Sequence, residues 1–104
     1  MREEYGLIRH VAMFKWREGV TDDEKVAARN SLAALQNEVP TIMRYTVGFD
    51  IGRKPANWDM VLVGDFEDRE ALEAYFAHPT MNAASDLVAS VTQREITARV
   101  QFEL

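Results

Sequence analysis

Two stretches of this 104-residue chain, 8–16 and 58–66, alternate as β-strands do yet carry apolar residues on both faces at their centres. In the first, Ile8, His10, Ala12, Phe14 and Trp16 oppose Arg9, Val11, Met13 and Lys15. In the second, Trp58, Met60, Leu62, Gly64 and Phe66 oppose Asp59, Val61, Val63 and Asp65. A strand with one wet face alternates apolar with polar residues, so these two must each be covered from both sides.

The rest of the chain supplies cover for one side only. Gly19 breaks the first strand. Thr21-Asp22-Asp23-Glu24 then has the spacing of a capping box, with acids in the first turn to suit the helix dipole. The helix that follows carries Ala28, Leu32, Leu35 and Val39 on one stripe, and Pro40 closes it. A strand over 42–51 places Met43, Tyr45, Val47, Phe49 and Ile51 on one face, with Gly48 as a candidate bulge or close backbone approach. The loop 52–57 leads into the strand 58–66. Asp68 caps a helix through Ala77, ended by Pro79, and Thr80 can cap a further helix bearing Met81, Ala84, Leu87, Val88 and Val91. The last strand sets Ile96, Ala98, Val100, Phe102 and Leu104 against Thr97, Arg99, Gln101 and Glu103.

The order β-α-β-β-α-(α)-β, two similar halves of strand, helix and strand, gives an α+β domain with a four-stranded antiparallel sheet and helices on one face. No linker or low-complexity tract interrupts it, so residues 1–104 form a single domain. The uncovered sheet face of a monomer would be a sizeable apolar patch, and the simplest cover is a second copy, giving a twofold homodimer with sheets face to face.

Charge and composition exclude several function classes. The formal net charge of -5 and the scatter of the basic residues argue against a nucleic-acid partner. No apolar run approaches the roughly 20 residues of a membrane-spanning helix, and Met1-Arg2-Glu3-Glu4 opens no signal peptide. The absence of cysteine removes disulfides, thiolate metal sites and cysteine nucleophiles and fits the cytoplasm. No serine sits in a nucleophile elbow and no glycine-rich loop cradles phosphate. Two histidines at unrelated spacing make no metal cluster, so neither a metal nor a cofactor is expected.

The segment Arg9-His10-Val11-Ala12-Met13-Phe14-Lys15-Trp16, the pair Val47-Gly48 and the block from Phe66 through His78-Pro79 together resemble the Dabb family, the stress-responsive dimeric α/β-barrel domain. The likeness spans residues 7–103. It implies a ferredoxin-like βαββαβ monomer, a homodimeric α/β barrel, and a small-molecule pocket between each sheet and its helices. In polyketide cyclases of the olivetolic acid cyclase type, which the same resemblance brings in, a strand-one His, a helix Tyr and a second His line that pocket. His10 matches the first and Tyr75 the second. The third stands last in a His-Pro-x-His pattern, where this chain reads His78-Pro79-Thr80-Met81. Met81 therefore holds its position, and His78 matches the pattern's first His.

On this reading His10 is the candidate proton-transfer group, since an ordinary imidazole exchanges protons near neutral pH, and Tyr75 supports it. Ala12, Phe14, Met60, Leu62, Gly64, His78 and Met81 are the candidate ligand-binding residues. Gly64 and Ala12 would leave room in the pocket. The bland readings are a core histidine, a core tyrosine, and a His78 that caps a helix C-terminus in its cationic form. The expected ligand is a small apolar or aromatic carbonyl compound. The expected chemistry is cofactor-free cyclisation, isomerisation or lyase chemistry on a polyketide-like or aromatic substrate. The alternatives are a non-catalytic stress-responsive binding protein and a cofactor-independent monooxygenase, the latter requiring Asn57 or Trp58 to face the pocket.

Overall fold

The computed structural model describes residues 7–104, so the reading of Met1-Arg2-Glu3-Glu4 lies outside it. The elements run β1 (Ile8–Phe14), α1 (Asp22–Ala33), α2 (Leu35–Glu38), β2 (Ile42–Phe49), β3 (Met60–Phe66), α3 (Arg69–Ala77), α4 (Pro79–Val91) and β4 (Ala98–Glu103), with a 3₁₀ turn at Arg94–Ile96 before β4. The sheet is antiparallel throughout with strand order β2-β3-β1-β4, the ferredoxin-like arrangement. The two strands with apolar centres are the middle pair, and the edges are β2 and β4.

Sequence signals set the helix boundaries. The Thr21 hydroxyl accepts from the Glu24 N–H at 3.1 Å and Glu24 Oε1 accepts from the Thr21 N–H at 2.9 Å, a complete capping box. Asp68 Oδ1 accepts from the Ala71 N–H at 2.9 Å at the start of α3. The stripe Ala28, Leu32, Leu35 and Val39 is fully buried, although the helix breaks at Ala34 into α1 and α2.

Several boundaries differ from the sequence expectation. Thr80 does not cap α4. His78 does: its Nδ1 accepts from the Thr80 N–H at 3.2 Å, and Pro79 occupies the first helical turn, where a missing N–H costs nothing. The His78 side chain thus serves the start of α4 rather than the end of α3. The bulge in β2 falls at Met43, between Ile42 and Arg44, and not at Gly48. It turns Ile42 and Tyr45 inward and leaves Met43 exposed. Ile51 lies beyond the strand and is 91% exposed. Ile96 belongs to the 3₁₀ turn, so β4 starts at Ala98.

The core lies between the helices and the inward face of the sheet, around Leu32, Leu35, Leu62, Phe66, Tyr75 and Val88. Val11, Met13, Val61 and Val63 point the other way and remain half-buried. In register beside them on β4 stand Val100 and Phe102, 52% and 44% exposed. At one end of this outward face Arg9 and Asp65, facing partners on β1 and β3, form a two-pronged ion pair at 2.8 and 2.9 Å. That face has no cover among the described residues.

Candidate functional site

His10 occupies the middle of β1 on the inward face, directly between Gly64 of β3 and Gln101 of β4. It is 3% exposed. Gly64 carries no side chain, and the ring of Tyr45 fills that space: a Cβ on Gly64 would lie 3.0 Å from Tyr45 Cδ1. On the other side the Gln101 side-chain nitrogen lies 3.0 Å from His10 Nδ1. An amide N–H can only donate, so Nδ1 accepts and the neutral ring carries its proton on Nε2. Burial, and then the charge of Arg99, lower the His10 pKa from 6.5 to about 4. The imidazole is therefore uncharged at neutral pH.

From α3, Phe76 meets the imidazole edge-on at 5.2 Å between centroids and Tyr75 packs at 6.0 Å. The Tyr75 hydroxyl is buried and lies 2.6 Å from the hydroxyl of Tyr45. Burial raises the pKa of both phenols. The hydrogen bond of Tyr75 thus goes to Tyr45, and it is the Tyr75 ring that faces His10.

A cavity of about 370 Å³ opens beside His10, a volume suited to a small organic molecule. Its buried inner wall is made by His10, Ala12, Phe14, Leu62 and Tyr75, with Met81 and Phe76 closing the helix side. The lining also includes the polar residues Arg17, Ser85, Asp86, Arg94, Thr97 and Arg99, of which the three arginines and Asp86 are exposed and mark its mouth. The segment after α4 is tied to the segment after β1: Arg17 N–H donates to Val91 O at 2.9 Å, Gln93 N–H to Lys15 O at 2.8 Å, and Gln93 Nε2 to Trp16 O at 2.9 Å. These bonds hold the mouth in shape.

Of the residues singled out from sequence, His10, Ala12, Phe14, Leu62, Tyr75 and Met81 meet at this cavity. Met60 is buried in the core, Gly64 is covered by Tyr45, and His78 caps α4; none of the three forms its wall. Asn57 and Trp58 line a different depression with Met13 and Ile51, away from His10. Arg99 and Gln101, on the polar side of the last strand, went unrecognised because alternation alone does not say which side faces the helices. Arg17 and Arg94 sit outside regular strands and left no periodic signal. Among the described residues no group of three or more His, Asp or Glu side chains is placed to hold a metal ion.

A family model described as the stress responsive A/B barrel domain matches residues 8–102. The chain is 31% identical to a dimeric ferredoxin-like protein of unknown function from Thermobifida fusca, covering 95% of this chain and 92% of that one with a TM-score of 0.86. A hydroxynitrile lyase from Passiflora edulis superposes with a TM-score of 0.84 at 12% identity, over 96% of this chain and 94% of the lyase. SnoaB, a cofactor-independent oxygenase from Streptomyces nogalater, does so with a TM-score of 0.74 at 14% identity, over 95% and 93%. The last two likenesses are of fold.

Proposed function

From the premise that the chain belongs to the stress responsive A/B barrel family, we propose that it is a homodimeric cytoplasmic barrel that binds a small apolar or aromatic carbonyl compound beside His10 and transforms it by cofactor-free acid–base chemistry. The dimer rests on the uncovered outward sheet face and on the dimeric state of the Thermobifida relative. The observation that carries the chemical part is a buried, neutral imidazole, set in one tautomer by Gln101, at the inner end of a cavity with a polar mouth.

In that tautomer Nε2–H is the donor left for a ligand. A carbonyl oxygen bonded to it is polarised, and a proton moves along that bond as charge develops on oxygen. Exchange of the Gln101 amide so that its oxygen meets Nδ1–H would free the Nε2 lone pair as a base. Tyr75 acts as a positioning residue through its ring. Cyclisation, isomerisation and lyase reactions all need such proton traffic and no redox partner. The hydroxynitrile lyase shows that this fold supports lyase chemistry in another protein.

A second reading, a binding protein without catalysis, is favoured by one observation: Met81 forms the wall where the cyclase-type pattern would place a second histidine. The oxygenase alternative draws no support from Asn57 and Trp58, which lie elsewhere. Turnover of cyanohydrins, aromatic ketones and linear polyketide thioesters by the wild type, lost roughly 10²–10⁴-fold in His10→Ala, is the expected result. Met81→His, with gain of cyclase activity on a linear tetraketide thioester, would mark a diverged cyclase. No turnover of any of these, with ligand affinity unchanged in His10→Ala, would overturn the catalytic reading.

A further inference from the structure

The charges at the cavity mouth reverse those of the molecule. The chain holds 17 acidic and 12 basic residues, yet among the described residues the side chains that form the cavity include three arginines, Arg17, Arg94 and Arg99, and one acid, Asp86. They come from three separate places: the segment after β1, the 3₁₀ turn, and β4. All three arginines are exposed, while the inner wall is buried and apolar apart from His10, the Tyr75 phenol and Thr92. Arg17 is held in place by donation from its Nε to the Thr92 carbonyl at 3.2 Å, and that bond leaves its Nη groups for another acceptor. The field of Arg99 is felt at His10 itself. A cleft with apolar walls focuses such a field toward whatever enters it.

We infer that the cavity takes an organic anion, with its apolar or aromatic body against Ala12, Phe14, Leu62 and Met81 and a carboxylate or phosphate head at Arg17, Arg94 and Arg99. This rests on the reading of the cavity as a small-molecule site and adds the ligand's charge to it. Guanidinium groups present a planar fork of donors that matches both kinds of oxyanion. With the head at the mouth, the body reaches inward to His10, so a carbonyl in the body, not the charged end, meets the imidazole.

The test is equilibrium binding, followed by intrinsic fluorescence and by NMR of the His10 ring, with four probes of one shape: 2-naphthoate, 2-naphthyl phosphate, 2-naphthamide and 2-naphthylmethylammonium. At least one anion should bind roughly five- to tenfold tighter than the amide, and the ammonium weakest. Which anion leads distinguishes a carboxylate ligand from a phosphate one. Arg99→Gln and Arg94→Gln should each cost the anions several-fold while leaving the amide unchanged, which also shows that the cavity is intact. The anion's advantage should shrink in high salt, because the arginines are exposed. An amide that binds as tightly as both anions overturns the inference while leaving the small-molecule site standing. Failure of all four probes to bind or to shift the His10 signals overturns both.

Discussion

Gln101 and His10 face each other across the β1–β4 pair, with the glutamine nitrogen 3.0 Å from Nδ1 of the ring. One amide thereby decides which imidazole nitrogen is offered to the cavity. Gln101→Glu replaces the donor with an acceptor. The ring proton should move to Nδ1, and the pKa should climb from its value of about 4 as the carboxylate stabilises the cation. Nitrogen-15 NMR of the ring reads both changes; an unaltered tautomer in the variant would refute the assignment.

His10 also makes stability depend on pH. Its folded pKa of about 4 lies below the unfolded value of 6.5. Between the two, the unfolded chain takes up a proton that the folded ring refuses, so stability should fall as pH drops from about 6.5 to about 4 and change no further through this group below that. The size is on the order of 1–3 kcal/mol, with water in the cavity reducing it. Asp65, whose pKa is lowered by the Arg9 hydrogen bond, adds a further loss in the same direction at pH below its ordinary 3.8. Urea titrations at pH 7 and pH 5, at fixed protein concentration, should show the first slope in the wild type and its absence in His10→Gln.

Gly64→Ala should destabilise although the added group is one methyl. It would press against the Tyr45 ring at 3.0 and 3.1 Å and against Phe66 at 3.2 Å, at a cost of about 1–3 kcal/mol. The same displacement should lengthen the bond between the Tyr45 and Tyr75 hydroxyls. Tyr45→Phe should cost roughly 1 kcal/mol by stranding the buried Tyr75 hydroxyl, and Tyr45→Phe with Tyr75→Phe together should cost less than the sum of the singles. Additive effects would show that the two hydroxyls are not coupled.

Light scattering at micromolar concentration should give about twice 11.9 kDa. Val61→Lys should split or unfold the assembly, since a charge without a partner is costly to bury there. A wild type that stays monomeric at these concentrations would remove the barrel.

The sequence carried the fold further than the site. Residues whose identity answers a local need declared themselves: Thr21 and Glu24 as a capping box, Asp68 as a cap, Pro79 as a break between helices, and Leu32 with Leu35 as a stripe. His10 and Ala12 were legible as inward-facing because alternation fixes the side of every residue in a strand without a bulge once one is placed. The bulge at Met43 was not, since an extra residue in a strand leaves no change of composition. Gly64 was legible as a small residue but not as the seat of Tyr45, because the partner across a strand pair depends on register. The arginines at the mouth escaped because exposed cations at 17, 94 and 99 look like ordinary surface until three distant segments are brought together.

The last strand serves two masters in alternate residues. Arg99 and Gln101, with Thr97 just before the strand, look into the cavity or onto its histidine, while Ala98, Val100 and Phe102 look away toward the uncovered face. Substitutions at odd-numbered positions can therefore retune what the protein accepts without touching what its apolar face must mate with, and the reverse holds for the even ones. A lineage built on such a strand can drift in ligand choice while its quaternary form stays put, or exchange partners while keeping its chemistry.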